Sequence, residues 1–456
     1  MHPAAAPSGA VDALMSSVRG RIVRAGDSDF NDIRKIHNGM IDNKPAVIAR
    51  CTGAADVQHC IRVAREHGLL VSIRGGGHSV PGFSVCDGGL MIDLSDARGV
   101  RVDPASGTAR AQGGATWGDF DHETHAYGLA TTGGVMRSTG IAGLTLAGGQ
   151  GLLMRKYGLS CDNLLSVDLV TADGRLITAS ANENADLFWG LRGGGGNFGV
   201  VTSFEFRLHP VSTVLGGMLI YPLDHARGII KAYDDFMASA PDEISCAGVL
   251  ATLPGGTKGF GILLAHCGEP DEGEKLIGQL RGFGPLIMDQ ITVMPYPAVQ
   301  SIAETFNPRG VRNYWKTCYI DAVGDDAIDV MIDYHQRVPS PLTHQVLYTF
   351  GGAVARVGAD DTAAACRDAR HAFIAIGMWE SAESDKEQIA YIRDLWSSMQ
   401  RFSHGGFYPN YEGESSGQLE DAFGTEKYQR LLALKRKYDP DNFFRLNQNI
   451  DPGPRS

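Results

Sequence analysis

The stretch SIRGGGHSVPGFSVCDGG, Ser72–Gly89, decides how the rest of the chain is read. A strand-like run, LLVSI, leads into Arg74. Gly75, Gly76 and Gly77 then deliver His78 and Ser79, with Gly82 just beyond. Glycine lets a backbone approach a ligand closely and adopt positive φ, at an entropic cost. Three bare residues before one histidine therefore predict a ligand held by main-chain N–H groups, with the histidine beside it.

Working outward, the 456 residues suffice for two or three domain-sized units, and 43% are hydrophobic, enough for a substantial core. The 58 glycines concentrate in 75–89, 133–151 and 193–199, between apolar, periodic segments, which points to loops at a ligand. A net charge of −11 with no basic run argues against a nucleic-acid partner. No run of about 18 apolar residues occurs, so no membrane span is expected. The start, MHPAAAPSGAVDALMSSVRG, lacks a charged region followed by an apolar core, so it does not read as a signal peptide. The eight cysteines are scattered with no CxxC pair, as expected of free thiols in a cytoplasmic protein.

AVIARCTG (46–53) reads as a strand, and AADVQHCIRVAREHG (54–68) as an amphipathic helix with Val57, Cys60, Ile61 and Ala64 on one face. NLLSVDLVT and RLITAS flank an Asp173-Gly174 turn, the mark of a β-hairpin. From about Val214 the texture changes. Strand-like stretches such as FGILLAHC, WKTCYIDAV and HQVLYTFGGAV alternate with helix-like ones such as HARGIIKAYDDFMASAP and DKEQIAYIRDLWSSMQRF. This predicts a second domain, one sheet with helices on a face.

Several motifs fail on context. Gly194-x-Gly196-x-x-Gly199 matches the dinucleotide fingerprint formally, but a helix precedes it and a strand follows, the reverse of a Rossmann unit. His122 and His125 in DHETH have HExH spacing, not the HExxH of a zinc protease, so no metal site is expected. No GxSxG elbow supports a serine hydrolase.

Four ordered segments resemble one family: VSIRGGGHS, then GGVMRSTGIAGLTLAGGQGLLMRKYGLSCDNLLSVDLVTADG, then DLFWGLRGGGGNFGVVTSFEF, and the terminal YDPDNFFRLNQNIDP. They resemble the FAD-linked (PCMH-type) oxidases of the vanillyl-alcohol oxidase superfamily, in the berberine-bridge-enzyme-like branch. The resemblance implies an α+β protein: a two-part FAD-binding domain (1–213, completed by 403–456) and a substrate domain (214–402) with an antiparallel sheet covered by helices. It implies that Arg74, Gly75, Gly76, Gly77, Ser79 and Gly82 wrap the FAD pyrophosphate, while His78 bonds covalently to the flavin 8α carbon. Gly134, Val135, Met136, Thr139, Gly140 and Gly143 would line flavin and pyrophosphate, Gly199 and Val200 the adenine end, and Asn447 the flavin edge. Many relatives carry a second, cysteinyl link in a GxCPT-like stretch. Met136 stands in that place here, and Cys161 lies elsewhere, so a single link is expected, as in the 6-hydroxy-D-nicotine oxidase type.

The resemblance also implies the chemistry. GGFYPNYEGE holds Tyr408, Asn410 and Tyr411, and the second tyrosine matches the family's usual general base. A tyrosine normally titrates near pH 10 and needs a lowered pKa or a coupled acceptor to serve as one. Hydride would pass from a small alcohol, amine or phenolic metabolite to flavin N5, and dioxygen would reoxidise the flavin. Relatives also include dehydrogenases, oxidative cyclases and oxygenases. Val80, where the family often has tyrosine, favours a substrate with apolar or aromatic parts. Tyr314, Trp315 and Lys316 are expected on the substrate side. A monomer or homodimer is expected.

Overall fold

The computed structural model describes residues 7–365, 367–414 and 419–454. Cys366 and the first residues of the N-terminal tail lie outside that set. The fold is α+β, built on three main sheets. In the first, strands Val47–Arg50, Leu90–Asp93 and Val71–Arg74 run parallel, and Arg21–Arg24 adds an antiparallel edge. The helix Ala54–Glu66 follows the first parallel strand and buries Val57, Cys60, Ile61 and Ala64, the face that its periodicity predicts. The second sheet is antiparallel, in the order Val100–Asp103, Thr108–Gln112, Val200–Arg207, Leu164–Val170, Leu176–Ser180. The last two form the hairpin read from the sequence, with Gly174 at φ +83° in its turn.

These two sheets share one core, in which Val170 and Val200 pack beside Val47, Leu90 and Phe444. The C-terminal segment thus packs against N-terminal elements. Its helix Thr425–Tyr438 carries Lys435, fully buried, whose Nζ donates to Asp439 Oδ2 (2.7 Å), Phe444 O (2.8 Å) and Asn197 O (3.1 Å). One ammonium therefore ties the tail to the glycine loop that ends at Gly199. Removing one partner of a buried ion pair leaves an uncompensated charge, a loss of about 3–5 kcal/mol. Asp439→Ala is expected to lower stability by that order, as urea denaturation will show, because Asp439 also accepts from the N–H groups of Phe443 and Phe444.

The third sheet has eight strands, all antiparallel, with Arg312–Ile320 at one edge. The period of two divides its residues between faces. Leu347, Phe373 and Cys318 pack under the helices Ala226–Ser239, Asp325–Gln336 and Asp385–Gln400, while Val346, Tyr348, Ile374 and Trp315 face the glycine segments. One predicted strand is shorter than its sequence suggests. HQVLYTFGGAV is strand only over His344–Thr349, because Gly351 (φ +93°) and Gly352 (φ +55°) turn the chain into the short helix Ala353–Arg356.

The helix Trp117–His125 meets Tyr296–Val299 at the junction between the N-terminal sheets and the large sheet. Asp121 is 2% exposed there, and among the described residues neither of its oxygens has a hydrogen-bond partner. Burial pushes its carboxyl up to about 7, offset only in part by Gln300 and Arg137. An unfolded aspartate titrates near 3.9, so the folded state holds its proton longer. The stability this supplies is complete below about pH 4 and is lost as pH rises through about 7. Asp121→Asn is expected to remove that slope. The melting temperature of the wild type should fall relative to the variant between pH 5 and pH 8, by the equivalent of up to about 3 kcal/mol; parallel curves would refute the assignment.

Candidate active site

The loop that opens at Gly75 leaves the C-terminal end of the parallel strand Val71–Arg74. Its root is stapled. Arg74 Nε donates to Asp93 Oδ1 at 2.9 Å, Nη2 pairs with Asp93 Oδ2, and Nη1 meets the carbonyl of Ile33. The Arg74 guanidinium is thus committed within the fold. Ser79 Oγ accepts from Phe83 N (3.0 Å), and Gly82, at φ +87°, packs on Ile41. Between root and turn lie five consecutive amides. Among the described residues no group accepts from the N–H of Gly75, Gly76, Gly77, His78 or Ser79. Unpaired main-chain donors in series form a nest for an anion.

A second segment closes onto this loop. A Cβ on Gly76 would lie 2.2 Å from Gly140 N, and one on Gly140 would lie 2.3 Å from Gly76 N. Only glycine allows the two backbones to cross at that distance. The crossing brings Ser138 and Thr139 to the histidine: His78 Nε2 is 3.1 Å from Ser138 Oγ, and Nδ1 is 3.5 Å from Thr139 Oγ1. The His37 ring lies 4.3 Å away, tilted by 31°. His78 is half-buried. Desolvation, helped by His37, pushes its imidazole down to about 3, so the ring is neutral at any ordinary pH. Gly134 lies against Trp117 and Leu144, Val135 and Met136 line the apolar interior, and Gly143 has open space above its Cα.

The tyrosines come from the segment after the large sheet. Tyr408 Oη accepts from Gly149 N (2.8 Å) and Asn410 Nδ2 (3.1 Å). The Tyr408 and Tyr411 rings meet edge to face at 4.9 Å, and Trp315 lies 5.8 Å from Tyr411. Burial pushes the Tyr408 phenol up to about 12 and the Tyr411 phenol further above its ordinary value. Val80, from the histidine loop, packs in the same apolar cluster as Trp315, Tyr408 and Tyr411. Loop and tyrosines therefore converge.

Gly199 lies against the carbonyl of Val170, and the Val200 side chain is inside the core shared by the first two sheets. Asn447 Nδ2 donates to Gly196 O and Phe444 O, both at 3.1 Å. Its Oδ1 has no partner among the described residues, nor do Gln448 Oε1 and Asn449 Oδ1. Of the three residues expected on the substrate side, only Trp315 lies on the face with Val80, Tyr408 and Tyr411. Tyr314 packs in the helix-side core, and Lys316 Nζ pairs with Glu412 Oε1 (2.5 Å) and lies over Trp396 (4.8 Å). Strand alternation sends neighbours to opposite faces.

His37 and Asn38 escaped the sequence reading. Asn38 is 3% exposed and donates to Val80 O (2.7 Å) and Asn313 O (2.9 Å), stitching the histidine loop to the edge strand of the large sheet. They stand about forty residues before His78, in coil, and no local pattern marks them.

The donor nest, the glycine crossing and the unpaired amide oxygens fit a long cofactor with an anionic centre and a polar ring edge, as in FAD. Residues 45–180 match the family model for an FAD binding domain, and residues 408–451 match the model described as berberine and berberine like. The chain is 32% identical to (R)-6-hydroxynicotine oxidase of Paenarthrobacter nicotinovorans, covering 96% of this chain and 97% of that one. It is 30% identical to an FAD-linked oxidoreductase of Dictyostelium discoideum, covering 97% of each. It superposes on the crystal structure of 6-hydroxy-D-nicotine oxidase from Arthrobacter nicotinovorans with a TM-score of 0.87 at 31% identity, covering 96% and 98% of the two chains. An FAD-binding domain, a berberine-like C-terminal segment and a sheet between them are joined in one chain, which belongs to the FAD-linked oxidoreductases of the berberine-bridge-enzyme-like family.

Proposed function

We propose that the protein is an oxidase of a small alcohol, amine or phenolic metabolite, with FAD attached through His78. The carrying observation is the run of five unpaired amides that ends beside a neutral histidine. On this reading residues 1–213 and 403–456 hold the cofactor, 214–402 cover the substrate, and the protein works in the cytoplasm as a monomer or homodimer. When bound, FAD supplies the hydride acceptor at N5 and returns the electrons to dioxygen as hydrogen peroxide.

The chain's own residues do the rest. Main-chain N–H groups of Gly75–Ser79 hold the pyrophosphate, with Gly140 and Gly143 leaving room beside them. Arg74 serves by fixing the root of the loop. His78 would hold the group covalently, its neutral imidazole nitrogen replacing one hydrogen of the flavin 8α methyl, with dioxygen as the two-electron oxidant. Met136, a thioether, forms no second link. Gly199 and Val200 meet the adenine end through their main chain, and Asn447 meets the flavin edge. Trp315, Tyr408 and Tyr411 exclude water. Asn410 holds the Tyr408 hydroxyl. Tyr411 keeps its proton at neutral pH, so it acts as a relay: it takes the substrate's O–H or N–H proton as it gives its own to bulk water, in concert with hydride loss.

The test is oxygen uptake and peroxide release over a panel of alcohols, amines and phenols. One peroxide per substrate oxidised is expected. Flavin bleaching by a substrate without oxygen uptake would identify a dehydrogenase instead. A flavin that no member bleaches would indicate a binding protein.

A further inference from the structure

Tyr411 belongs to a short strap, residues 408–414, whose two ends are tied to different parts of the fold. The first end is held by the glycine segment: Gly149 N donates to Tyr408 Oη (2.8 Å), and Asn410 Nδ2 donates to Leu144 O (3.3 Å). The second end runs along the edge strand Arg312–Ile320, tied to it residue for residue in antiparallel order. Lys316 Nζ meets Glu412 Oε1 at 2.5 Å, Gly413 N donates to Trp315 O at 2.8 Å, and Tyr314 Oη donates to Glu414 Oε1. Tyr411 lies between the two sets of ties, its ring against Tyr408 and Trp315.

The period of two explains the arrangement. Trp315 packs with the tyrosines, so its neighbours Tyr314 and Lys316 point to the helix side, where Glu414 and Glu412 meet them. Gly413, between the two glutamates, has no room for a side chain: a Cβ there would lie 2.7 Å from Trp315 O. The helix Asp385–Gln400 closes the far side. Arg393 Nη2 holds the Glu414 carboxylate at 3.0 and 3.1 Å, and the Lys316 ammonium lies over Trp396 at 4.8 Å. The Glu414 side chain is 40% exposed, whereas that of Glu412 is 2% exposed and that of Lys316 12%. Exposed pairs contribute little. A buried pair adds little net stability over an apolar one, and its best-attested use is to set register.

We propose that Lys316 and Glu412 are positioning residues: their ion pair sets the register of the strap on the edge strand, and thereby the place of the Tyr411 hydroxyl. This rests on the reading of Tyr411 as the proton-transfer group. Misplacing a reacting group by about 1 Å is enough to cost about 10²-fold in rate.

The test replaces both partners at once in the holoenzyme, Lys316→Met with Glu412→Leu, so that no unpaired charge is left buried and the melting temperature holds. Amide hydrogen exchange at Tyr411 and Gly413, whose N–H groups donate to Tyr408 O and Trp315 O, should speed up about tenfold, with the amides of strand His344–Thr349 unchanged. On the best substrate of the panel of alcohols, amines and phenols, kcat should fall about 10–10²-fold, with KM and the flavin spectrum unchanged. Lys316→Arg keeps the pair and should recover most of kcat. Added to Tyr411→Phe, the double change should cost nothing further, because it acts through the hydroxyl already removed. Where Tyr411→Phe is slow, a wild-type kcat in the double variant, a loss in KM instead, or a full further loss on top of Tyr411→Phe would each overturn the proposal. Wild-type exchange at Tyr411 and Gly413 would overturn it whatever the kinetics. The reading of Tyr411 fails separately: if no member of the panel is oxidised, or Tyr411→Phe turns over normally, that reading falls, while faster exchange in the double variant still assigns the register to the pair.

Discussion

His78→Ala is expected to convert a protein whose yellow colour survives acid precipitation into one whose flavin washes out completely. The expectation rests on the neutrality and placement of the imidazole. Desolvation and the neighbouring His37 hold its pKa near 3, and hydroxyls at 3.1 and 3.5 Å face its two nitrogens. The amides of Gly75–Ser79 are main-chain groups and survive the substitution, so the variant should still bind FAD reversibly and show its absorbance before precipitation. Turnover should fall, because on the proposed reading a covalent link would raise the oxidising strength of the flavin and fix its position. Acid-stable colour in the variant would move the anchor to another side chain. A colourless wild type, even after refolding with FAD, would overturn the reading of the whole loop.

Tyr411→Phe is expected to lower kcat by about 10²–10⁴, the usual range for losing a positioned proton-transfer group, with a much smaller change in KM. The ring stays, so its contacts with Tyr408 and Trp315 persist and the flavin spectrum should not change. The sign of its pKa shift adds a second check. Burial favours the neutral phenol, so Tyr411 does not ionise across the neutral range, and no limb of the wild-type pH profile should belong to it. An unchanged kcat in Tyr411→Phe would place the base elsewhere, or show that the substrate, such as a neutral amine, needs none.

Much of the architecture was legible from local pattern. Ala54–Glu66 buries its predicted face, the Asp173-Gly174 hairpin forms, and strands and helices alternate into one helix-covered sheet after Val214. These features depend on side-chain period and turn chemistry over a few residues, which a sequence displays directly. The strand at His344–Thr349 was overextended because two glycines beyond it adopt positive φ, which composition alone does not reveal. Tyr314 and Lys316 were grouped with Trp315 by adjacency, whereas a strand sends neighbours to opposite faces.

The candidate site divides in the same way. The sequence by itself determined that glycine loops, a histidine and a tyrosine pair would be present, because backbone freedom and side-chain chemistry belong to individual residues. Only the tertiary structure decided that Gly76 crosses Gly140, that His37 lies against His78, that the Arg74 guanidinium is spent on Asp93, and that Tyr348 and Gln150 are buried without partners. Each of those facts is a relation between residues brought together by packing across sheets. Burial, which pushes the His37 and His78 imidazoles down and leaves the polar atoms of Tyr348 and Gln150 bare, exists only once the chain has folded.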